Sequence, residues 1–336
     1  MVSKVQLVVN SVAGNGRSLG IARRLETALT ARGHRTRSLV PRSLGALARW
    51  ARECDPDFAY LCCVGGDSTM SAVAPACMRL GVPLVPVPVG FGNVFARATG
   101  HRARVGDVLR LLEGGTVHWV DVGIGRHGVF VVARGFGFLE NIQQAVETAG
   151  NVPRSAPLRC LAYVRQALHA ARHMPLHRLR VEIDGERLAE DAAMVIVANV
   201  PTYDGFLNLT PHASPLDGLL DVFLAHRTTT ARLCWELVGR LLRPRAGKAI
   251  GGLRRATRVS IQSGEEAPEE FFVVPGALPV LGEKKGVSPL FRLKQSYLPR
   301  LRQALPEKKV ARYLQIENKI EAVIRYELAE KIPLVK

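Results

Sequence analysis

The chain opens on a short apolar run, Val5 to Val9, followed by a turn of small residues. Apolar positions then recur at Leu19, Ala22, Leu25, Ala28 and Leu29, a spacing of three and four that predicts a helix over Ser18 to Arg32. The alternation repeats. Strands are predicted over Arg35 to Val40, Phe58 to Val64 and Val82 to Val87, and helices over Leu44 to Cys54, Met70 to Leu80, Asn93 to Thr99 and Val105 to Leu112. Strands alternating with helices imply a parallel, doubly wound sheet, because a parallel crossover needs a helix to return the chain. From Val117 the rhythm changes to short runs at Val117 to Gly123, Val129 to Ala133, Leu179 to Ile183, Met194 to Asn199 and Leu220 to Ala225, divided by Gly, Pro and Asp. These predict a second, mainly β domain, interrupted by a helix over Pro157 to His173. Further helices are expected over Ala231 to Leu242 and over Glu307 to Ile332, the latter with an apolar stripe of Val310, Tyr313, Leu314, Ile320, Val323, Ile324 and Leu328.

Three turns at the carboxyl ends of predicted strands carry the candidate chemistry. The first holds Asn10, Gly14 and Gly16, the second is Gly65-Gly66-Asp67-Ser68-Thr69, and the third contains Gly90, Gly92 and Asn93. Glycines let backbone approach a ligand closely, and the N–H groups that open a helix attract phosphate oxygens. Ligands of doubly wound sheets sit at this edge. Asp67 is placed to hold a magnesium ion or its water shell.

In order and spacing these turns resemble the nucleotide site of the diacylglycerol kinase and sphingosine kinase family of lipid kinases, built from Asn-Pro-x-Ser-Gly, Gly-Gly-Asp-Gly-Thr and Gly-Thr-Gly-Asn-Asp turns. The resemblance implies an α/β plus β fold: an N-terminal nucleotide-binding domain over 1–118, a β-sandwich lipid-substrate domain over 119–281, and an unrelated basic helical tail over 282–336. It also implies ATP and Mg2+ as cofactors. Asn10, Gly14, Gly16, Gly65, Gly66, Asp67, Ser68, Thr69, Gly90, Gly92 and Asn93 would line the nucleotide, with Asp67 on the magnesium of MgATP. The segment Asn208 to Val222 is similar to the family stretch ending Asp-Gly-Leu-Leu-Asp, where some members hold a structural magnesium. Carried over, its ligands are Ser214, Asp217 and the carbonyl of Leu219; read alone, Asp217-Gly218 is a tight turn.

The chain departs from the family pattern at several positions. Ser11 stands for the proline of the first turn, Ser68 for a glycine, Phe91 for a threonine and Val94 for an aspartate. The family's Asp-Gly-Glu triplet aligns with Pro275-Gly276-Ala277, without a carboxylate, or with Leu281-Gly282-Glu283, which leaves Glu283 as candidate base. Glu265, Glu266, Glu269 and Glu270 read as a surface acidic cluster, and Pro268 to Gly286 as a junction between two segments. The resemblance implies transfer of the γ-phosphate of MgATP to the hydroxyl of a diacylglycerol-like lipid. The alternatives are a catalytically degenerate protein that binds lipid or nucleotide, and a soluble-substrate kinase of NAD kinase type.

Composition narrows the setting. The 336 residues are 47% hydrophobic, enough for a large core, and the formal charge of +17 asks for an anionic partner. No nucleic-acid motif accompanies the basic residues, so the expected partner is a lipid substrate at an anionic membrane surface, with a homodimer through the tail stripe as a further expectation. The six cysteines form no Cys-x-x-Cys pair and read as reduced thiols. No apolar run approaches the ~18 residues of a spanning helix, and a cytoplasmic, peripherally membrane-associated protein is expected.

Overall fold

The first apolar run forms β1 (Lys4–Val9), whose successive side chains point to opposite faces of a sheet and are buried on both. It pairs in parallel with β2 (Arg35–Leu39) on one side and β3 (Tyr60–Gly65) on the other, and β3 pairs in parallel with β4 (Leu84–Pro88). This computed structural model describes residues 3–55, 57–138, 178–201, 209–226 and 251–283, with positions 140, 162, 165 and 169. The helix expected over 231–242, the tail 284–336 and most of the helix over 157–173 lie outside the described residues.

Helices cover both faces, as the buried alternation demands. Leu7, Val9, Cys62, Val64, Val85 and Val87 pack on α1 (Arg17–Thr30) and α5 (Val105–Gly114), through Leu25, Leu29 and Val108. Val8, Leu61, Cys63 and Leu84 face α2 (Leu44–Glu53) and α3 (Asp67–Leu80), through Leu47, Ala51, Met70, Val73 and Cys77. A short helix, α4 (Val94–Ala98), follows β4. Cys62, Cys63 and Cys77 are buried, as expected of core thiols, and burial pushes the Cys62 thiol to about 12 and raises those of Cys63 and Cys77.

The second half is antiparallel: β5 (Thr116–Gly125), β6 (Gly128–Phe130), β7 (Ala133–Gly137), β8 (Leu179–Ile183), β9 (Glu186–Ala198), β10 (Leu220–His226), β11 (Gly251–Ala256), β12 (Arg258–Ser263) and β13 (Glu269–Gly282). Its core gathers Val181, Val195, Val197, Val222, Val259 and Ile261 around Phe271, which meets Phe130 and Phe136 edge-on at 6.1 and 5.2 Å. The single strand expected over Val129 to Ala133 is two strands. β6 pairs with β5 and β7 with β9, and between them the Val131 N–H donates to Ser71 Oγ at 3.3 Å.

The run expected to be a junction is the strand that joins the halves. β13 begins against β12 with Phe272 opposite Arg258, bulges between Val274 and Leu278, then runs between β5 and β4 with Val280 beside both His118 and Leu84. The apolar residues Val273, Leu278, Val280 and Leu281 are buried along it, which is why these residues form a strand despite Pro275 and Gly276. No helix among the described residues is long and apolar enough to cross a membrane.

Candidate active site

The three turns meet at the carboxyl edge of β1, β3 and β4, and glycine is what lets them touch. A Cβ on Gly90 would lie 2.6 Å from Gly66 Cα, one on Gly65 would lie 2.7 Å from Thr69 Cβ, and one on Gly14 would lie 2.4 Å from the Val89 carbonyl oxygen. Hydrogen bonds hold the same contacts: Asn10 Nδ2 donates to Thr69 Oγ1 at 3.0 Å, and the Val89 N–H donates to the Gly65 carbonyl at 3.0 Å. Gly16 ends the first turn at φ +80°, left-handed backbone, and α1 starts behind it. Asn93 also takes a left-handed conformation and donates through Nδ2 to the Gly90 carbonyl at 2.7 Å. Its Oδ1 is buried and accepts no hydrogen bond. Gly92, half-buried, sits between these anchors.

Asp67 opens α3 and faces α4. Its Oδ2 accepts from the Val94 N–H at 2.9 Å and its Oδ1 from the Phe95 N–H at 3.0 Å, so the carboxylate caps the short helix. Burial raises the Asp67 carboxyl above its ordinary range, while those two N–H donors and Arg97 pull it down. Val94, which replaces a family aspartate, contributes its backbone to this contact rather than a side chain. Ser68 lies in the first turn of α3, exposed, and its backbone does not enter the left-handed region, so it fits there without strain. Gly66, the residue before the helix, has no side chain to cap the first N–H groups of α3.

Asp67, Ser68 and Ser71 line a cleft of about 810 Å³, closed from the second half by His127, Arg134 and Glu269 among others. Glu269 and Glu140 give this cleft carboxylates besides Asp67, and the expectation that Glu269 belongs to a surface cluster is corrected. Its neighbour Glu270 does face outward and pairs with Arg258 at 2.5 Å. Strand alternation, which separates 269 from 270, is the signal that distinguishes them. Glu283 is elsewhere: it lines a second cavity of about 530 Å³ with His101, Asp107 and His118, and is absent from the residues around the Asp67 cleft. Ala277 is buried at 4% exposure against the core of the first half, so neither triplet alignment brings a carboxylate to Asp67.

Asp121, not singled out in the sequence, holds the second half of the site together. It is 3% exposed, and its two oxygens accept from the Gly218 and Gly276 N–H groups, both at 2.6 Å. The β13 bulge and the Asp217-Gly218 turn are thereby fixed to β5. The signal was present as one carboxylate inside the apolar run Val120-Asp121-Val122. Asp217 shapes its own turn, Oδ1 accepting from the Leu219 N–H at 3.1 Å, and Ser214 lies half-buried beside it in sequence. Burial lifts the Asp217 carboxyl to about 6, opposed by the Leu219 N–H and Arg255. Among the described residues no group of three or more His, Cys, Asp and Glu is gathered for a metal. This loop instead offers oxygens of mixed kind, and the buried Asp221 below it has two carboxylate oxygens that accept no hydrogen bond. Such a set suits a hard cation such as Mg2+.

Residues 4–124 match the diacylglycerol kinase catalytic domain model, and residues 141–282 match the model of the YegS C-terminal NAD kinase beta sandwich-like domain. The chain belongs to the diacylglycerol kinase-like family. Its two-part α/β plus β-sandwich organisation is that of the family. A diacylglycerol kinase of Mycobacterium tuberculosis is 27% identical over 178 residues, 50% of this chain and 55% of that protein. An uncharacterized protein of Synechocystis sp. is 28% identical over 172 residues, 51% of this chain and 39% of that protein. The chain thus matches about half or less of the length of these relatives. The crystal structure of a diacylglycerol kinase from Bacillus anthracis str. Sterne is 20% identical and superposes with a TM-score of 0.63, covering 84% of this chain and 98% of that one. That likeness is one of fold.

Proposed function

We propose that this family member is an ATP-dependent lipid kinase that transfers the γ-phosphate of MgATP to the hydroxyl of a diacylglycerol-like lipid. The observation that carries the reading is the meeting of three glycine turns, at backbone contact between Gly66 and Gly90, beside the open first turn of α3 at the cleft. The nucleotide phosphates would lie on the N–H groups of Asp67, Ser68 and Thr69, with Asn10, Gly14, Gly16, Gly92 and Asn93 around them. Mg2+, which neutralises charge on the phosphates, would be held through Asp67, whose carboxylate would share its oxygens between the ion and α4. The chain's own work is positioning: Thr69 is fixed by Asn10, and α4 is fixed by Asp67. Glu269, the β13 carboxylate in the cleft, is the base we assign to the lipid hydroxyl. The net charge of +17 supports residence at an anionic bilayer surface, where the lipid is found.

The test is transfer of labelled γ-phosphate from MgATP into vesicles of anionic phospholipid containing diacylglycerol. Asp67→Asn, which keeps the size of the side chain, should abolish labelling, and Glu269→Gln should lower it by ~10²-fold or more, the usual worth of a positioned base. If wild-type protein labels no lipid above the Asp67→Asn background, the proposal fails.

A further inference from the structure

Arg134 is the arginine that the second half brings to the Asp67 cleft. It stands on β7, where its backbone pairs with Val197 of β9 and its side chain shares a face with Phe136, two residues on. The guanidinium carbon lies over the Phe130 ring, 5.8 Å from the centroid. Phe130 is 2% exposed and packs edge-on against Phe271, so the platform under the charge is rigid. An aromatic ring holds such a cation through its quadrupole and leaves the planar fork of N–H donors for another partner. Asp67 and Glu269 line the same cleft, yet among the described residues the Arg134 side chain makes no ion pair or hydrogen bond. A half-buried guanidinium so placed is a site for an anion that the chain does not itself supply.

Resting on the kinase reading above, we propose that Arg134 is a catalytic residue whose guanidinium takes the non-bridging oxygens of the γ-phosphoryl group in flight. The lipid hydroxyl oxygen bonds to the γ-phosphorus while the bond from that phosphorus to the β–γ bridging oxygen breaks. MgADP leaves with the bridging oxygen, and the hydroxyl proton passes to Glu269. Base and phosphoryl group are both anionic and must approach one hydroxyl, so a cation between them lowers their repulsion. Glu269 and Arg134 are anchored in the same aromatic cluster: Glu269 shares a strand face with Phe271 two residues on, and Arg134 rests on Phe130, which meets Phe271. The fork can reach two phosphoryl oxygens at once, as bidentate phosphate recognition requires. Because Phe130 holds the cation before substrate arrives, little reorganisation remains at the moment of transfer, and stabilisation falls on the transition state.

The test has two readouts on the full chain. Calorimetry without lipid compares MgADP alone with MgADP plus aluminium fluoride, an anionic mimic of the phosphoryl group in flight, and labelled transfer from MgATP into diacylglycerol vesicles gives kcat and KM. Wild-type protein should bind MgADP more tightly with the fluoride than without it. Arg134→Gln should lose that tightening and lower kcat by ~10²-fold or more, with KM for MgATP little changed and circular dichroism native. Arg134→Lys, which keeps the charge and the stem but not the fork, should fall between the two even if glutamine disturbs the aromatic cluster. Arg52→Gln, which removes a charge from an exposed position of α2 on the same cleft, should behave as wild type. A lower Tm in Arg134→Gln with kcat unchanged would make the arginine a cover for Phe130 and overturn the proposal, as would an equal loss in Arg52→Gln or wild-type kcat in Arg134→Lys. Transfer that survives in Arg134→Gln sinks this inference alone, whereas wild-type protein that neither binds MgADP nor labels lipid sinks the kinase reading and this inference together.

Discussion

Gly90 shows how much of the candidate site rests on an absent methyl group. A Cβ there would fall 2.6 Å from Gly66 Cα, a distance that backbone cannot relieve by rotating a side chain, so Gly90→Ala must push two turns apart. We expect it to cost roughly 1–3 kcal/mol in urea denaturation, the range for overpacking, and to weaken MgATP binding more than a distant substitution of equal stability cost. Asp67 makes a second point. Asp67→Ala would strip the acceptor from two backbone donors, Val94 and Phe95, and should lower stability by about 1–3 kcal/mol besides any loss of magnesium. Comparing urea midpoints of the alanine and asparagine variants checks this, since asparagine retains one acceptor. The glycines and Asp67 were legible as a turn because their residue types are restrictive. Asp121 and Glu269 carried weaker signals, a carboxylate in an apolar run and a place in a strand's alternation, and neither says whether the side chain meets a bulge, a cleft or water.

At the scale of elements, two contacts decide how the helices and strands of the site are seated. His101, just after α4, is buried with Nε2 against the Leu281 carbonyl at 2.7 Å and Nδ1 against Thr99 Oγ1 at 2.9 Å. Burial holds its pKa below the ordinary histidine value, opposed by those two hydrogen bonds. The folded state therefore binds fewer protons than the unfolded chain, and the stability His101 contributes is complete above ~6.5 and falls as pH drops toward its folded value. Thermal melts from pH 7.5 to 5 should show a declining Tm whose slope is shallower in His101→Gln. In the second half, Phe271 sits between Phe130 and Phe136, and a Cβ at Gly125 would lie 2.5 Å from its ring. Phe271→Ala should cost about 3–5 kcal/mol, as for other buried aromatics, measured by chemical denaturation. The periodicity gave α1, α3 and the parallel strands to within a few residues. It did not separate β6 from β7, because Val131 and Val132 continue the apolar run while the chain changes pairing partner.

For the whole molecule, β13 is the shared member: one end pairs with β12 in the sandwich, the other runs between β5 and β4. Two halves joined through one buried strand should unfold together. Leu278→Ala, at a fully buried position of that strand, should cost about 2–5 kcal/mol and reduce amide protection in both β4 and β12. Hydrogen exchange that loosened only one of those strands would show the halves to be independent.

What the sequence by itself determined is the parallel half, the switch to short strands near Val117, and the glycine turns, because these depend on local periodicity and on residues with few conformational alternatives. The Asp217-Gly218 turn was legible for the same reason. Only the tertiary structure decided that β13 crosses between the halves, that Asp121 clasps Gly218 and Gly276, that Glu269 and not Glu283 shares the cleft with Asp67, and that Arg134 lines that cleft too. Each of these joins residues distant along the chain or depends on which face a strand residue takes, and pairing register, not local pattern, sets that choice.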